Sequence, residues 1–159
     1  MWNEIVISGF ADEIDSNLVK QITVLKKLNM KHIEMRGVNG KNLVDYSITE
    51  AKEIKYQLDA EGISLSSVGS PIGKISITDD FLPHLEKYKH TVELAHLMET
   101  PYIRMFSFYI PEGAEYEGFR SKVMEQMGEF VDYAKVNNVT LLHENEKGIY
   151  GDNAVHCAE

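Results

Sequence analysis

The chain has 159 residues, which is enough for one domain with a sizeable hydrophobic core. Its 43% hydrophobic and 26% charged residues are typical of a soluble globular protein. The 25 acidic and 16 basic residues give a net charge of −9, which argues against a general nucleic-acid surface because such a surface needs clustered Lys and Arg.

The N-terminal sequence and the single cysteine bear on where the protein acts. No run approaches the ~20 apolar residues of a membrane span. The N-terminus, MWNEIVISGF, lacks the charged start and long apolar core of a signal peptide. Cys157 cannot form an internal disulfide, which favours a reducing compartment. We therefore expect a cytoplasmic protein without a membrane partner.

Strand and helix patterns alternate along the chain. Short apolar runs predict five strands, at 5–7, 31–36, 63–68, 102–106 and 139–142, the last of them buried. Helical spacing of apolar residues predicts four helices, which carry Leu18, Ile22, Leu25 and Leu28; Ala51, Ile54 and Leu58; Phe81, Leu85, Tyr88, Val92 and Ala95; and Val123, Met127, Phe130, Val131 and Ala134. This alternation favours an α/β fold with a parallel sheet and right-handed crossovers.

Local signals indicate where several helices begin and end. The Asp-Ser-Asn sequence at 15–17 supplies N-cap candidates for the first helix. Ser47 and Glu50 fit a capping box, and Gly62 is a plausible stop for the helix that they open. The residues at 152–153, Asp-Asn, could cap a further short helix.

Two architectures fit the alternation: an open doubly wound sheet and part of a (β/α)8 barrel. A dinucleotide-binding sheet would show Gly-x-Gly-x-x-Gly after its first strand. Here residues 8–12 read Ser-Gly-Phe-Ala-Asp, and no Walker-type lysine loop occurs. Nucleotide binding is therefore not expected.

Polar residues gather at the predicted strand ends, which is where parallel sheets bind ligands. They are Asp12 and Glu13; Glu34 and Arg36; Ser70 and Lys74; Arg104 and Ser107; and His143, Glu144 and Glu146. Since successive strand residues point to opposite faces, Glu34 and Arg36 share one face. They either face a ligand or form an internal salt bridge with Arg104, and function is favoured for Arg36.

The loop at 69–74, Gly-Ser-Pro-Ile-Gly-Lys, offers backbone amides, a hydroxyl and an ammonium group. These groups could hold an anionic or polyhydroxyl ligand. The alternative is a tight turn with a solvent-facing lysine.

Glu144 is the leading candidate for chemistry. A carboxylate at a strand end can ligate a divalent cation or transfer a proton, and oxygen ligands suit Mn²⁺ or Mg²⁺. One carboxylate does not hold a metal, and Glu146 would share the direction of Glu144 only if the strand continued. His143 would face the opposite side, which favours a structural part. The remaining histidines are expected on the solvated surface; they are His32, His84, His90, His96 and His156.

Five segments in chain order carry a family resemblance. They are ISGFADE at 7–13, IEMRG at 33–37, GSPIGK at 69–74, IRMFSF at 103–108 and LHEN at 142–145. Together they resemble the sugar phosphate isomerase/epimerase group of the xylose isomerase-like TIM-barrel superfamily, which also contains the AP endonuclease family 2 proteins.

The resemblance implies a (β/α)8 barrel of which residues 1–159 form a single domain with about the first five β/α units. It also implies one divalent metal, Mn or Mg with Zn as an alternative, and Glu144 matches the acidic metal ligand that ends strand five in the family. Glu144 is accordingly assigned as both metal ligand and catalytic proton carrier. The residues assigned to binding substrate are Glu34, Arg36, Ser70, Lys74, Arg104 and Ser107.

The implied reaction is isomerisation or epimerisation of a sugar or sugar phosphate through an enediolate that the metal stabilises. A lyase of the inosose dehydratase kind is an alternative, because dehydration of a keto-polyol begins with the same proton abstraction. The endonuclease branch has histidines at the ends of strands three and four, where Ser70 and Ser107 stand here. This departure argues against DNA repair.

The remaining metal ligands of the family come from strands six to eight, which follow the part matched by residues 1–159. We therefore expect this chain to be a truncated and inactive half-barrel. Open sheet edges lead us to expect self-association, as a dimer that approximates a closed barrel. A non-catalytic half-barrel that serves assembly or ligand binding is a further alternative.

Overall fold

A computed structural model describes residues 5–159 of the chain. The described residues group into two units, and each is described by itself. Unit 1 contains the residues up to Gly69 together with Glu93–Pro101, and unit 2 contains Ser70–Val92 and Tyr102–Glu159. Each unit combines parallel strand pairing with helices, as an α/β fold requires. The single domain expected for residues 1–159 stays a prediction.

In unit 1, a parallel strand pair packs with two helices. Strand β1 (His32–Met35) pairs with β4 (Ser64–Gly69), and the helices are α1 (Leu18–Lys27) and α2 (Ile48–Ala60). Ile33 and Met35 are buried whereas Glu34 is partly exposed, because successive strand residues face opposite sides. This alternation is the one that the sequence predicts.

Local capping determines where both helices of unit 1 begin. The Asn17 side chain accepts a hydrogen bond from the Lys20 N–H, and Ser47 and Glu50 form the predicted capping box. After α2, Gly62 has a φ of 68°, which suits the left-handed conformation that ends many helices.

A small antiparallel hairpin follows β1. Its strands are β2 (Gly37–Val38) and β3 (Lys41–Asn42), followed by a 3-10 helix at Leu43–Asp45. The turn residues Asn39 and Gly40 have φ values of 50° and 77°, and an Asn-Gly pair with positive φ is the preferred two-residue hairpin turn.

The predicted first strand at 5–7 is not formed. Ile5, Val6 and Ile7 are 88%, 59% and 65% exposed, and pairing begins only at Phe10, in an isolated parallel bridge with Glu34. A strand that is apolar on both faces is stabilised by cover on both faces. The exposed side chains of this short run gain no such burial, so the β-branched composition alone does not produce a strand.

In unit 2, β5 (Tyr102–Met105) pairs in parallel with β6 (Thr140–His143). The helices are α4 (Arg120–Val136), the short α5 (Ala154–Cys157) and the part of α3 (Phe81–Leu97) up to Val92; a 3-10 helix lies at Tyr116–Phe119. The Asn153 side chain caps α5, as one of the two predicted alternatives has it. None of the helices within residues 5–159 combines the length and the apolar character that crossing a lipid bilayer requires.

Exposure in unit 2 departs from the apolar pattern at two places. Val131, one of the apolar residues whose spacing predicts the fourth helix, is 37% exposed, because it lies about 100° around α4 from the fully buried Phe130. The fifth predicted strand is mostly exposed rather than buried: Val139 is buried, but Leu142 is 41% exposed. Among the described residues of unit 2, β6 has a strand partner on the β5 side alone, so its side chains have less cover than the run of apolar residues indicates.

Candidate functional site

The ends of β5 and β6 bring an arginine and a glutamate together. Arg104 lies in β5, and Glu144 directly follows β6. The Glu144 N–H donates to the Met105 carbonyl at 3.0 Å, which extends the parallel ladder by one residue and holds Glu144 beside the strand end. Nη1 of Arg104 lies 3.0 Å from Oε2 of Glu144, with 11% of the arginine side chain and 45% of the glutamate side chain exposed. The carboxylate is therefore ion-paired but open to a ligand.

A second ion pair joins the loop after β4 to the loop after β6. Nζ of Lys74 lies 2.6 Å from Oε2 of Glu146, and the Tyr109 hydroxyl donates to Oε1 of Glu146 at 3.1 Å. The hydrogen bond from Lys74 is the main cause that lowers the pKa of the Glu146 carboxyl. Burial, followed by the contact with Glu146, raises the pKa of Tyr109.

Phe106 connects the two ion pairs. Nζ of Lys74 lies 4.2 Å from the centroid of its ring and Cζ of Arg104 lies 4.9 Å from it, both within cation–π range. We call Lys74, Arg104, Phe106, Glu144 and Glu146 the strand-end cluster. It presents nitrogen donors and carboxylate acceptors side by side around a buried aromatic ring.

The loop that carries Lys74 is held by Gly73. This residue has a φ of 84°, and a Cβ built there would lie 1.9 Å from the Phe106 carbonyl oxygen, so only glycine fits. The Gly73 carbonyl accepts from the Phe108 N–H at 2.9 Å, and the Gly73 N–H donates to Nε2 of His84 at 2.8 Å. Lys74 therefore leaves a fixed backbone rather than the tip of a solvent-facing turn.

The prediction that His84 lies on the solvated surface is wrong. His84 is 9% exposed, and burial lowers its pKa to about 4. The ring is thus neutral at pH 7, which lets Nε2 accept the Gly73 hydrogen bond. The helical pattern could not reveal this position, because its partner lies in a loop rather than on the same helix.

Ser70 and Ser107, two of the predicted substrate contacts, are buried and make hydrogen bonds with backbone groups. Ser70 is 1% exposed. Its hydroxyl donates to the Arg104 carbonyl at 2.5 Å and accepts from the Ile72 N–H at 3.2 Å. Ser107 is 4% exposed and accepts from the Gly151 N–H at 2.7 Å. Both hydroxyls hold the backbone around the cluster instead of pointing at a ligand.

His143 lies on the side of β6 that meets Ser107. Its Nε2 is 3.0 Å from the Ser107 hydroxyl, and a Cβ built on Gly151 would lie 2.8 Å from the same nitrogen. Partial burial lowers the pKa of His143, against the opposing effect of Glu144. These contacts agree with the structural role that the alternation of strand residues predicts for His143.

In unit 1, Arg36 takes a partner other than those expected for an internal salt bridge. Its Nε and Nη2 lie 2.8 and 3.1 Å from the two carboxylate oxygens of Asp12, Glu13 is 3.5 Å away, and the guanidinium stacks over the Phe10 ring at 4.6 Å. The contact with Asp12 is the main cause that raises the pKa of Arg36. Glu34, the other predicted ligand contact here, lies beside this group in β1 and is partly exposed.

A cleft of about 370 Å³ opens beside the Arg36–Asp12 pair. Its other lining residues are Ser16, Gly37, Val38, Gly40, Lys41 and Asn42. The predicted substrate-binding residues are thus divided, with Glu34 and Arg36 in unit 1 and Lys74 and Arg104 in unit 2.

The described residues do not form a metal site by themselves. Within residues 5–159, no three His, Cys, Asp or Glu side chains come close enough together to hold a metal ion. Glu144 contributes a single carboxylate, and Arg104 already pairs with it. The donor set therefore does not fit the metal that the resemblance implies.

Three partners in these clusters were not assigned from the sequence. Glu146 carries a weak signal, because it follows Glu144 at the two-residue spacing of a strand. Asp12 stands at a predicted strand end, but nothing local pairs it with Arg36. Tyr109 carries no sequence signal, since its partner Glu146 lies 37 residues away.

Comparison with known proteins agrees with this fold. A family model described as xylose isomerase-like TIM barrel, AP_endonuc_2, matches residues 22–159. The chain belongs to this family. The (β/α)8 barrel type expected from the resemblance is therefore confirmed. Comparison with curated proteins gave no match.

Solved structures of the same fold resemble the chain over most of its length. A xylose isomerase-like TIM barrel protein from Mycobacterium smegmatis in complex with magnesium is 17% identical, with a TM-score of 0.72 over 96% of this chain and 58% of that one. The probable 3-DHS dehydratase AsbF of Bacillus anthracis is 15% identical, with a TM-score of 0.76 over 97% and 57%. The 3-keto-D-glucoside 4-epimerase YcjR of E. coli is 12% identical, with a TM-score of 0.66 over 91% and 58%. The chain thus spans less than two thirds of the length of these structures.

Proposed function

We propose that the protein is an isomerase or epimerase of a sugar or sugar phosphate, and that the strand-end cluster binds the substrate. This proposal rests on two ion pairs that lie around Phe106. Arg104 pairs with Glu144, and Lys74 pairs with Glu146. A polyhydroxyl substrate needs donors and acceptors side by side, and these pairs supply both. Membership of the xylose isomerase-like family supports the reaction class.

Glu144 is the proposed proton carrier. Its side chain is 45% exposed beside a largely buried guanidinium, so it can reach a substrate C–H while its position is held. Removal of that proton leaves negative charge on the substrate oxygens. Arg104 and Lys74 are the cations of the cluster that would stabilise this charge. In unit 1, Arg36 and Glu34 remain proposed substrate contacts, whereas Ser70 and Ser107 do not.

A divalent metal is implied by the family, and one similar structure contains magnesium. The described residues do not provide its donor set, so no step is derived through a metal. If Mn, Mg or Zn does take part, Glu144 would supply one ligand and would have to exchange its pairing with Arg104 for the metal.

For these 159 residues alone, a second candidate is ligand binding without turnover. The observation that favours it is the Arg104–Glu144 ion pair, because the carboxylate oxygen that pairs with the guanidinium is occupied and must leave it to take a proton from a substrate. The similarity to a dehydratase does not choose between isomerase and lyase, since at 15% identity it concerns the fold alone.

Proton exchange tests the two candidates directly. The chain is incubated with D-fructose in D₂O, and loss of the C–H signals is followed by NMR. Where the native chain does catalyse exchange, the proposal requires the rate to fall at least about 100-fold in Glu144→Gln, the range typical of losing a general base. Glu125→Gln, on the exposed side of α4, makes the same charge change and should leave exchange unaltered. Binding of D-fructose to the native chain without any proton exchange would favour the second candidate. A native chain that neither binds D-fructose nor exchanges its protons would contradict the proposal.

We also propose that the chain self-associates through exposed strand edges. The segment Ile5–Ile7 is β-branched, largely exposed and without strand pairing, and β6 pairs on its β5 side alone among the described residues of unit 2. Exposed apolar segments with unpaired backbone groups add readily to another edge. A second copy of the chain offers both surfaces.

A further inference from the structure

The charges of the strand-end cluster cancel within the cluster itself. It contains two cations, Lys74 and Arg104, and two carboxylates, Glu144 and Glu146. Each cation lies within 3.0 Å of one carboxylate oxygen, at 2.6 Å for Lys74 and 3.0 Å for Arg104. The cluster therefore offers no net positive charge to a ligand, although it contains strong hydrogen-bond donors.

A phosphate group would have to break these pairs. Arg104 is 9% exposed, so its guanidinium is largely desolvated, and Glu144 lies 3.0 Å from it as a counter-charge. A phosphate dianion that replaced Glu144 would stand beside the displaced carboxylate and beside Glu146. Repulsion between like charges at such distances outweighs the gain from one new ion pair, because the cluster is only partly open to solvent.

Neutral hydroxyl groups meet no such obstacle. A hydroxyl accepts a hydrogen bond from a guanidinium or ammonium and donates one to a carboxylate, so it can bridge either ion pair without separating it. The Phe106 ring keeps both pairs in place, and the Tyr109 hydroxyl holds Glu146 from its other oxygen. The pattern of alternating donors and acceptors matches neighbouring hydroxyls of a polyol.

We infer that the cluster takes an unphosphorylated sugar and discriminates against the corresponding sugar phosphate through Glu144 and Glu146. This inference rests on the proposed function and narrows its substrate class. Glu146 is then a specificity residue: its charge keeps Lys74 from serving as a phosphate-binding lysine.

The test compares a neutral sugar with its phosphate on the full chain. Binding of D-fructose, D-fructose 6-phosphate and inorganic phosphate is measured by calorimetry at one ionic strength. We expect the native chain to bind D-fructose at least about tenfold more tightly than its 6-phosphate. Glu146→Gln keeps the size of the side chain and removes the charge. Its amide oxygen can still accept from Lys74, while the Tyr109 hydroxyl would accept from the amide nitrogen instead of donating. The affinity of this variant for inorganic phosphate should therefore rise about tenfold or more.

Glu125→Gln is the matched control, because it changes the net charge equally on an exposed face of α4. A phosphate affinity that rises equally in both variants would overturn the inference, as would a native chain that prefers D-fructose 6-phosphate. Absence of D-fructose binding to the native chain would overturn it too. Binding of D-fructose with the expected phosphate response but without proton exchange would uphold the inference and count against the proposed isomerase alone.

Discussion

At the scale of single residues, His84 and Gly73 show how the cluster is supported from behind. Gly73 adopts a conformation that only glycine fits against the Phe106 carbonyl, and its N–H has His84 as acceptor. Neither residue belongs to the cluster, yet both determine where Lys74 leaves the backbone. A histidine serves here as a buried acceptor, and it does so only while it is neutral.

The low pKa of His84 predicts a pH dependence of stability. In the folded chain its pKa is about 4, against an ordinary value of 6.5. Between these values the unfolded chain binds a proton that the folded chain does not, so stability rises with pH across this window and is lost as pH falls from 6.5 to 4. The loss from this one group would reach about 3 kcal/mol at pH 4.

The variant His84→Phe has no imidazole to titrate in either state, and it leaves the Gly73 N–H without its acceptor. The missing hydrogen bond should lower the free energy of unfolding by about 1–3 kcal/mol at pH 7. The difference between native chain and variant should shrink as the pH is lowered to 4, in urea unfolding at several pH values. His96→Gln, an exposed histidine of the same helix, is the control and should follow the native chain. Parallel curves for His84→Phe and the native chain would contradict the assignment.

At the scale of elements, α4 packs through one buried face. Phe130 is fully buried, its ring lies 4.7 Å from that of Tyr88 and 5.9 Å from that of Phe108, and the Tyr88 hydroxyl donates to its carbonyl. Phe130→Ala should therefore cost about 3–5 kcal/mol. Val131→Ala, one residue further but 37% exposed, should change stability by less than about 0.5 kcal/mol. Similar losses in urea unfolding of the two variants would show that the buried face is assigned wrongly.

At the scale of the whole molecule, the proposed self-association gives a measurable size. We expect sedimentation of the chain at micromolar concentration to show a dimer, and Ile7→Asp to shift it towards monomer because a charge cannot enter an apolar strand contact. Val136→Asp is the control, since Val136 is 82% exposed, belongs to α4 and is part of neither strand segment. A native chain that stays monomeric on dilution and still unfolds cooperatively would rule out the proposal.

Features that depend on neighbours along the chain were predictable from the amino-acid sequence. The caps at Asn17 and Ser47 and the buried alternation of β1 rest on residues one to four positions apart, and these were predicted correctly. The order of the motifs was enough for the family, because a family is a pattern along the chain. The position of Glu144 directly after a strand was predictable in the same way, while its role stays a prediction.

The partners of the polar side chains, in contrast, depend on how distant parts of the chain fold together. Lys74 meets Glu146 across 72 positions, and the Ser70 and Ser107 hydroxyls turn inward to backbone groups 34 and 44 residues away. The same limit applies at 5–7, where a β-branched run forms no strand, and at Val131, which is apolar but 37% exposed. Hydrophobic pattern and local capping act through neighbours in sequence, whereas a side chain's partner is set by which distant elements pack beside it.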